Sequence, residues 1–295
     1  MKLGNSNINK IYIGSNEINK AYLGSSLVYD NSGGGAFDSD AQAFINAIGT
    51  LDANQQNAIN NLVLGFKASG SWSQRQAIYP MIGGSYNSHK FNLKDPRDLD
   101  VAFRLQEIGG TTTHSNLGIV GQGGRAFNTF YIPSINGITD STHLEFYAQT
   151  TENGNNQAEM GRSTSVSGTT ARMQLEASWA GNSLQFDSYH FAGGRGTASS
   201  GGDARGLSSG TRNGFNDIRV FKNGVQVGFS ATDRAGVPPN QSLYLMAVAN
   251  STDSITNTSL KTCSFSSIGL ALTPSQVTQD YTTIQNYQTA LGRAV

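Results

Sequence analysis

The chain has few of the residues expected for a redox, membrane or nucleic-acid role. It contains a single cysteine, Cys263, so an intramolecular disulfide is excluded and stability must come from packing or from partner subunits. Its 20 basic and 20 acidic residues balance, without the basic cluster that nucleic-acid binding needs. No apolar run reaches the roughly 18 residues of a membrane span, and the first residues lack an apolar signal-peptide core. We therefore expect a soluble protein made in a cytoplasm, without nucleic-acid binding or membrane insertion.

Turn-forming residues are abundant instead. The 295 residues include 35 glycines, and only 14% are charged. Helical proteins usually carry more Glu, Lys, Ala and Leu, whereas many Gly, Ser, Thr and Asn residues are typical of β proteins with frequent turns. The composition therefore favours a mainly β fold.

Residues 1–30 repeat a ten-residue pattern nearly three times. Gly4, Gly14 and Gly24 recur in it, each followed by Asn or Ser, which is a turn signal, and the stretches between read as short strands. Such small strands bury little surface, so repeats of this kind normally complete their core by stacking or by pairing with another chain. The alternative is a small meander that packs on the rest of the protein. We predict that the repeat serves anchoring and oligomerisation through Ile8, Ile11, Tyr12, Ile18, Tyr22 and Val28.

A linker and two helices are predicted for residues 31–71. Residues 31–35 read Asn-Ser-Gly-Gly-Gly, a flexible composition. A first helix is expected to begin at Asp38 or Ser39. Asp52 followed by Gln55 resembles a capping box for a second helix that runs through Phe66.

From about residue 72 to residue 272 the apolar residues alternate with polar ones, which is the pattern of half-buried strands. Strands are predicted at residues 100–105, 143–148, 172–177, 183–189, 218–222, 242–247 and 262–268. Asn223-Gly224 is the preferred pair for a type I′ hairpin. Thr273, Pro274 and Gln276 then predict the start of a C-terminal helix. Many alternating strands with short turns indicate a β-sandwich or barrel.

Part of this pattern resembles a known family. Residues 78–295 resemble the concanavalin-A-like, laminin-G-type jelly rolls in the hairpin at 218–225, in the strand at 242–247 and in the ending Ala-Leu-Thr-Pro-Ser-Gln at 271–276. This resemblance implies a mainly β jelly-roll sandwich at 72–295, with the short N-terminal β-repeat at 1–30, the two-helix connector at 31–71 and a C-terminal helix.

A closer similarity is to the version of this fold found in structural proteins of tailed bacteriophages. It lies in residues 77–84, in residues 88–98 and in the terminal Leu291-Gly-Arg, and the opening repeat resembles the one that begins many phage tail and fibre proteins. The resemblance implies a virion protein made in the host cytoplasm, anchored by its N-terminus to other virion proteins or to itself as a homo-oligomer, with a trimer as one candidate. Its jelly roll would be exposed for recognition of host cell-surface polysaccharide. A decoration or adaptor protein that binds only virion proteins is the alternative.

Glycosidases of the same fold make an enzyme a second alternative. Retaining glycosidases need two carboxyl groups roughly 5 Å apart, and in the glucanases of this fold they follow an E-x-D-x-x-E spacing along one strand. The chain lacks that spacing, so we expect a non-enzymatic protein without a catalytic residue. The carboxylates of the strand region are interpreted as side chains on solvent-facing positions, namely Glu145, Glu152, Glu159, Glu176 and Asp187.

The remaining candidate sites are the histidines, a calcium site and a glycine-rich loop. The four histidines, His89, His114, His143 and His190, fit hydrogen-bonded scaffolding better than catalysis. We expect no cofactor, although a calcium site assembled from Asp187, Asp203 or Asp217 stays open. The glycine-rich segment 193–206 reads as a mobile surface loop of the kind that carries recognition. The candidate glycan contacts near it are Trp179, Tyr189, His190 and Arg195, with a core position for Trp179 and Tyr189 as the alternative.

Overall fold

The structure is a computed structural model of the 295-residue chain. It describes residues 37–151, 157–166, 169–180, 182–189, 195–232 and 236–295, together with the backbone of six short strands between residues 2 and 30. The side chains of those six strands, and those of Ser165, Val166, Thr169 and Trp179, lie outside the described part.

The chain divides into two compact units, Met1–Ser39 and Asp40–Val295. The first unit contains three two-stranded antiparallel hairpins rather than one meander. Their strands are β1 (Lys2–Leu3), β2 (Ser6–Asn7), β3 (Ile11–Ile13), β4 (Asn16–Ile18), β5 (Lys20–Leu23) and β6 (Ser26–Asp30). In the sequence, one of the predicted Gly-Asn or Gly-Ser pairs stands between the two strands of each hairpin. Ile8 lies outside the described residues, and so do the side chains of the other five predicted anchoring positions.

The three predicted helices are present, and two short helices that were not predicted accompany them. They are α1 (Ser39–Ile48), α2 (Ala53–Ala68), α3 (Tyr86–His89), α4 (Pro133–Asn136) and α5 (Pro274–Ala290). Asp52 and Gln55 form the predicted capping box of α2, and Thr273 and Gln276 form that of α5. Helix α2, and α1 from Asp40 onward, belong to the same compact unit as the strands of the two large sheets.

Eight strands form the first sheet, in the order β19-β18-β17-β12-β23-β10-β9, with β7 also paired to β23. They are β7 (Arg75–Tyr79), β9 (Thr113–Ser115), β10 (Gly118–Val120), β12 (Ser141–Ala148), β17 (Gly206–Asn213), β18 (Ile218–Lys222), β19 (Val225–Ser230) and β23 (Thr262–Gly269). Asn223 and Gly224 join β18 to β19 with φ of 49° and 75°, and these positive values at both positions are those of the predicted type I′ turn.

Nine strands form the second sheet, in the order β16-β15-β14-β13-β20-β11-β8, with β21 beside β13 and β22 beside β21. They are β8 (Gln106–Ile108), β11 (Ala126–Asn128), β13 (Met160–Val166), β14 (Thr169–Trp179), β15 (Ser183–Ser188), β16 (Arg195–Ser199), β20 (Tyr244–Leu245), β21 (Val248–Ala249) and β22 (Ile255–Thr256). The predicted loop at 193–206 therefore contains an edge strand, β16.

Two predicted strands differ from the structure. Residues 100–105 were predicted as a strand, but Asp100–Ala102 is a 3₁₀ turn. Phe103 follows it at φ 60°, and this left-handed conformation ends any extended run. The predicted strand at 242–247 is reduced to Tyr244–Leu245, because Met246 also has a positive φ, 70°. In both places the backbone reverses where alternation alone suggests an extended chain.

The predicted β-sandwich is confirmed by its core. Leu144 and Phe146 of the first sheet and Leu175 and Phe186 of the second belong to one cluster of buried apolar side chains. Helices α2 and α5 cover the opposite face of the first sheet, where Phe66 lies 6.1 Å from Phe265 between ring centroids. Polar side chains occupy the face of the second sheet that points away from the core.

Candidate functional site

Strands β14, β15 and β16 align polar side chains in two rows across the second sheet. In one row Gln174 pairs with Asp187, which pairs with Arg195. In the other row Glu176 pairs with Gln185, which pairs with Thr197. Residues paired across antiparallel strands lie on the same face, and alternate residues of one strand share a face. We call these six residues, together with Arg172, the polar face.

Ion pairs fix one end of the polar face. Arg195 donates from Nε to Oδ1 of Asp187 at 2.7 Å and from Nη2 to Oδ2 at 2.8 Å. The second arginine, Arg172, has its Nη1 3.7 Å from the same carboxylate. The side chains of both arginines are about one-fifth exposed, whereas that of Asp187 is buried. Solvent therefore reaches the polar face from the side of its arginines.

The other end of the polar face carries polar atoms without partners. Among the described residues, neither amide atom of Gln174 has a hydrogen-bond partner, and the same is true of one oxygen each of Glu176 and Gln185. All three side chains are buried. A buried polar atom left unpaired costs about 1–3 kcal/mol, so four of them on one face form an unfavourable arrangement unless another molecule supplies the hydrogen bonds.

The carboxyl group of Glu176 is held in its neutral form. Burial raises its pKa to about 8, and the negative charge of Asp187 acts in the same direction, while Arg195 partly opposes both. At neutral pH this carboxyl can therefore donate as well as accept a hydrogen bond. The polar face then offers amides, a neutral carboxyl and arginine side chains, the groups that bind sugar hydroxyls in ligand sites.

Replacing Glu176 with glutamine is expected to stabilise the protein at alkaline pH. In the unfolded chain the carboxyl ionises near its ordinary value of 4.5, whereas in the folded chain it stays protonated to about 8. Folded protein thus binds the extra proton between these values, and its stability falls as the pH rises through them. Glutamine does not ionise, so Glu176→Gln should gain about 4 kcal/mol over wild type at pH 8 and little at pH 4.5. Urea unfolding at both pH values checks this, and a difference that does not depend on pH would contradict it.

Two of the four predicted glycan contacts, Arg195 and Tyr189, have described side chains. Arg195 lies on the polar face, as described. Tyr189 lies in the sandwich core, fully buried, so its ring offers no surface to a sugar. Trp179 ends β14, but its side chain lies outside the described part, and His190 is outside the described residues altogether.

The acidic residues interpreted as solvent-facing are buried instead. Glu145, Glu159, Glu176 and Asp187 are each at most 1% exposed. Glu159 pairs with Lys261 at 2.9 Å, and both side chains are fully buried. Alternation correctly points these residues away from the core, but it does not show that their positions on the outer faces are buried. Glu152 lies outside the described residues.

The glucanase spacing places both carboxylates on one strand, so it does not detect two carboxylates that lie on neighbouring strands. Glu176 and Asp187 occupy diagonal positions of neighbouring strands on one face. A signal for them was present, since both Gln-Leu-Glu at 174–176 and Gln-Phe-Asp at 185–187 place an amide and an acid two residues apart. Only the strand register shows that they meet.

The candidate calcium ligands and three of the histidines are engaged with other residues. Among the described residues, no group of three or more His, Cys, Asp or Glu side chains is placed to hold a metal ion. The three candidate calcium ligands each pair with an arginine, as Asp187–Arg195, Asp203–Arg205 and Asp217–Arg219.

His143 bridges the Leu270 carbonyl and the Ser267 hydroxyl, and Nδ1 of His89 lies 2.9 Å from Nδ1 of His114. Each of these three histidines takes part in a hydrogen bond to another residue, and His190 lies outside the described part. No helix in the described ranges has the length and apolar character to cross a membrane.

Comparisons with known proteins do not assign a family. No family model and no curated protein matches the chain. Similar solved structures include domain 4 of the GH43 extracellular arabinanase AbnA from Geobacillus stearothermophilus, in complex with arabinotriose, at 16% identity over 70% of this chain and 98% of that one, with a TM-score of 0.45. The Ruminococcus gnavus IT-sialidase CBM40 is similar at 8% identity over 59% and 96%, with a TM-score of 0.41. The binding domain of botulinum neurotoxin DC in complex with SialylT is similar at 10% identity over 62% and 47%, with a TM-score of 0.36.

Proposed function

We propose that this protein is a structural component of a tailed-bacteriophage virion whose jelly roll binds a host cell-surface glycan at the polar face. The observation that carries the binding proposal is the set of four unpaired polar atoms on Gln174, Glu176 and Gln185. Amide and carboxyl groups pair with sugar hydroxyls, which both donate and accept, and Thr197 on the same face is exposed. Because Gln174 and Glu176 are 1% exposed, a glycan reaches them only when this face opens.

The virion role rests on the sequence resemblance and on the form of the N-terminal unit. Its three hairpins follow the glycine spacing of the repeat, and a two-stranded hairpin is at best marginally stable alone. Completion by other virion proteins or by further copies of the chain would supply the missing packing. A decoration or adaptor protein would use the same anchor but would need no glycan.

Glycan binding should be lost when Gln174 is replaced with methionine, although the fold should not weaken. Methionine keeps the volume of the side chain and removes two buried unpaired atoms, so the unliganded protein should be as stable as wild type or more so. The measurement is a glycan array on the full chain, together with a urea unfolding curve. Bound glycans should drop out of the array for Gln174→Met.

Gln149→Met is the matched control. Its amide donates to Ser264 Oγ at 2.9 Å and to the Arg293 carbonyl at 2.7 Å, so this change should lower stability and leave glycan binding unchanged. An array without any bound glycan for wild type would reject recognition and favour the adaptor role. Equal loss of binding in both variants would reject the polar face as the site.

Deleting residues 1–30 should abolish incorporation into virions and leave glycan binding intact. The sandwich and its helices form a separate compact unit from Asp40 onward, so its core does not depend on the deleted hairpins. Incorporation is measured by particle purification after complementation with the truncated protein. Truncated protein found in particles at the wild-type level would contradict the anchor.

Glycoside hydrolysis is kept as a second candidate because of Glu176 and Asp187. A neutral carboxyl beside a second carboxylate is the pairing that such hydrolysis uses. Here, however, both oxygens of Asp187 accept hydrogen bonds from Arg195, which leaves that group poorly placed to attack a sugar. Release of reducing sugar from host polysaccharide, lost in Glu176→Gln, would favour hydrolysis over binding alone.

A further inference from the structure

Two arginines flank Asp187 at the accessible end of the polar face. Arg195 is directly opposite Asp187 in the pairing of β15 with β16. Arg172 lies two residues before Gln174, which pairs with Asp187 on the other side. The side chains of both arginines are about one-fifth exposed, whereas that of Asp187 is 1% exposed. A ligand that approaches this face therefore meets the two guanidinium groups before it meets the buried amides.

The charges at this end of the polar face do not cancel. Among the described residues of the face, Asp187 is the one ionised carboxylate at neutral pH, because the carboxyl group of Glu176 is neutral. It stands beside two arginines. Glu159, whose charge also acts on Glu176, is paired with Lys261 at 2.9 Å and neutralises neither arginine. The described side chains therefore leave the polar face with an excess of one positive charge.

A carboxylate is the anionic group that matches this excess. It brings one negative charge, whereas a phosphate monoester brings nearly two. The planar guanidinium group orients a carboxylate through two parallel hydrogen bonds, and such charge-assisted bonds are roughly twice as strong as those between neutral groups. The hydroxyl groups of a neutral sugar would also accept hydrogen bonds here, but they would leave the excess charge in place.

We propose, on the basis of the glycan site proposed above, that the glycan is acidic and that the carboxylate of a uronic or sialic acid residue binds to Arg172 and Arg195. The 20 basic and 20 acidic residues of the chain balance, so a general attraction for polyanions is not expected. The preference for an acidic ligand comes from the arginine pair and is a property of this face alone.

Biolayer interferometry on the full chain tests the ligand class, with polygalacturonic acid and polysialic acid as probes. Each is compared with its carboxyl-reduced form, in which a hydroxymethyl group replaces the carboxylate and the sugar backbone is kept. Wild type should bind at least one acidic polymer about tenfold more tightly than its reduced form, as expected for one hydrogen bond to a charged group. This preference should shrink between about 50 mM and about 500 mM NaCl, because salt screens exposed charges.

Arg172→Gln should weaken binding of the acidic form about tenfold and leave binding of the reduced form unchanged. Arg172 suits this test because its Nη1 is 3.7 Å from Asp187, whereas Arg195 makes both close hydrogen bonds to that carboxylate. Arg219→Gln is the matched control, since Arg219 is 27% exposed and paired with Asp217 but belongs to the first sheet. This control should bind both forms as wild type does, and urea unfolding curves check that both variants are folded.

Equal binding of the acidic and reduced polymers by wild type would overturn the acidic ligand class and leave the glycan site in place. The same loss of acidic binding in Arg172→Gln and Arg219→Gln would also overturn it, because the attraction would then not depend on the polar face. If neither polymer pair binds and the glycan array shows neutral glycans alone, the acidic class falls and the proposed function stands. An array without any bound glycan would remove both.

Discussion

Replacing Arg75 with methionine is expected to destabilise the protein by about 5 kcal/mol, a large part of the roughly 5–15 kcal/mol that holds a typical domain together. Arg75 is fully buried and donates to Glu145 Oε2 at 2.6 Å and to Asp280 Oδ2 at 2.7 Å. Removing one partner of a buried ion pair leaves the others charged and unpaired. Here two carboxylates would be left, each inside the protein.

Arg75, Glu145 and Asp280 form a buried cluster that joins several elements. The loss of Arg75 should therefore destabilise the whole unit and not one strand alone. Arg75 opens β7, Glu145 lies in the middle of β12, and Asp280 belongs to α5. Ser69 and Ser71, which follow α2, donate to the other oxygen of Asp280 at 2.6 and 2.9 Å. The cluster therefore joins the first sheet to both helices that cover it.

Urea unfolding of Arg75→Met measures the effect, with Arg97→Met as the matched control. Arg97 forms an ion pair with Asp95 but is 61% exposed, so its replacement should leave the unfolding midpoint unchanged. The triple variant Arg75→Met, Glu145→Gln, Asp280→Asn removes all three charges and should recover most of the lost stability. A midpoint for Arg75→Met equal to that of Arg97→Met would show that the buried pair does not support the fold.

Acidic pH should act on this region through His143. Burial lowers its pKa to about 3, and the nearby positive charge of Arg75 acts in the same direction. The unfolded chain takes up a proton near 6.5, so the contribution of His143 to stability is present above that value and is lost as the pH falls toward about 3. The free energy of unfolding is therefore expected to fall as the pH drops from about 6.5 toward about 3.

Local signals in the sequence predicted much of this architecture, because they depend on a few neighbouring residues. Asp52 with Gln55 and Thr273 with Gln276 cap their helices wherever the helices pack. Asn223-Gly224 determines its turn through the positive φ that both residues tolerate. The strands with the clearest alternation, such as β12 and β23, are found where they were predicted.

The candidate site and the buried charges depend on contacts between distant residues, and this is where prediction from sequence failed. Alternation separates the core face of a strand from its other face, but it carries no information on what covers that other face. Glu145 was interpreted as solvent-facing because its partner Arg75 is 70 residues away. Glu176 and Asp187 were considered singly because their proximity follows from the register of β14 against β15. Phe103 adopts its left-handed φ within a segment whose alternation is that of a strand.

Replacing Arg293 with methionine should cost about 4 kcal/mol, because one side chain satisfies several buried acceptors near the C-terminus. It donates to the carbonyls of Met81 at 2.6 Å, Pro80 at 2.8 Å, Asn116 at 2.9 Å and Ser264 at 3.0 Å, and to Gln288 Oε1 at 2.6 Å. All five acceptors are uncharged, and the side chain is 3% exposed. Methionine fills part of the space but donates nothing. The Met81 carbonyl and Gln288 Oε1 would lose this buried donor, whereas Pro80 still accepts from Tyr287 and Ser264 still accepts from Gln288.

Replacing Arg293 with lysine tests the positive charge separately from the planar arrangement of the guanidinium donors. Its ammonium keeps the positive charge but offers three donors at one point, whereas the guanidinium spreads five donors over a plane. Arg293→Lys should therefore recover only part of the stability lost in Arg293→Met. Removal of residues 292–295 should cost at least as much as Arg293→Met, since Val295 also bonds with Tyr147 through both its amide and its carbonyl. Urea unfolding curves of the three variants give this order, and a lysine variant as stable as wild type would show that charge alone, rather than the array of acceptors, requires the arginine.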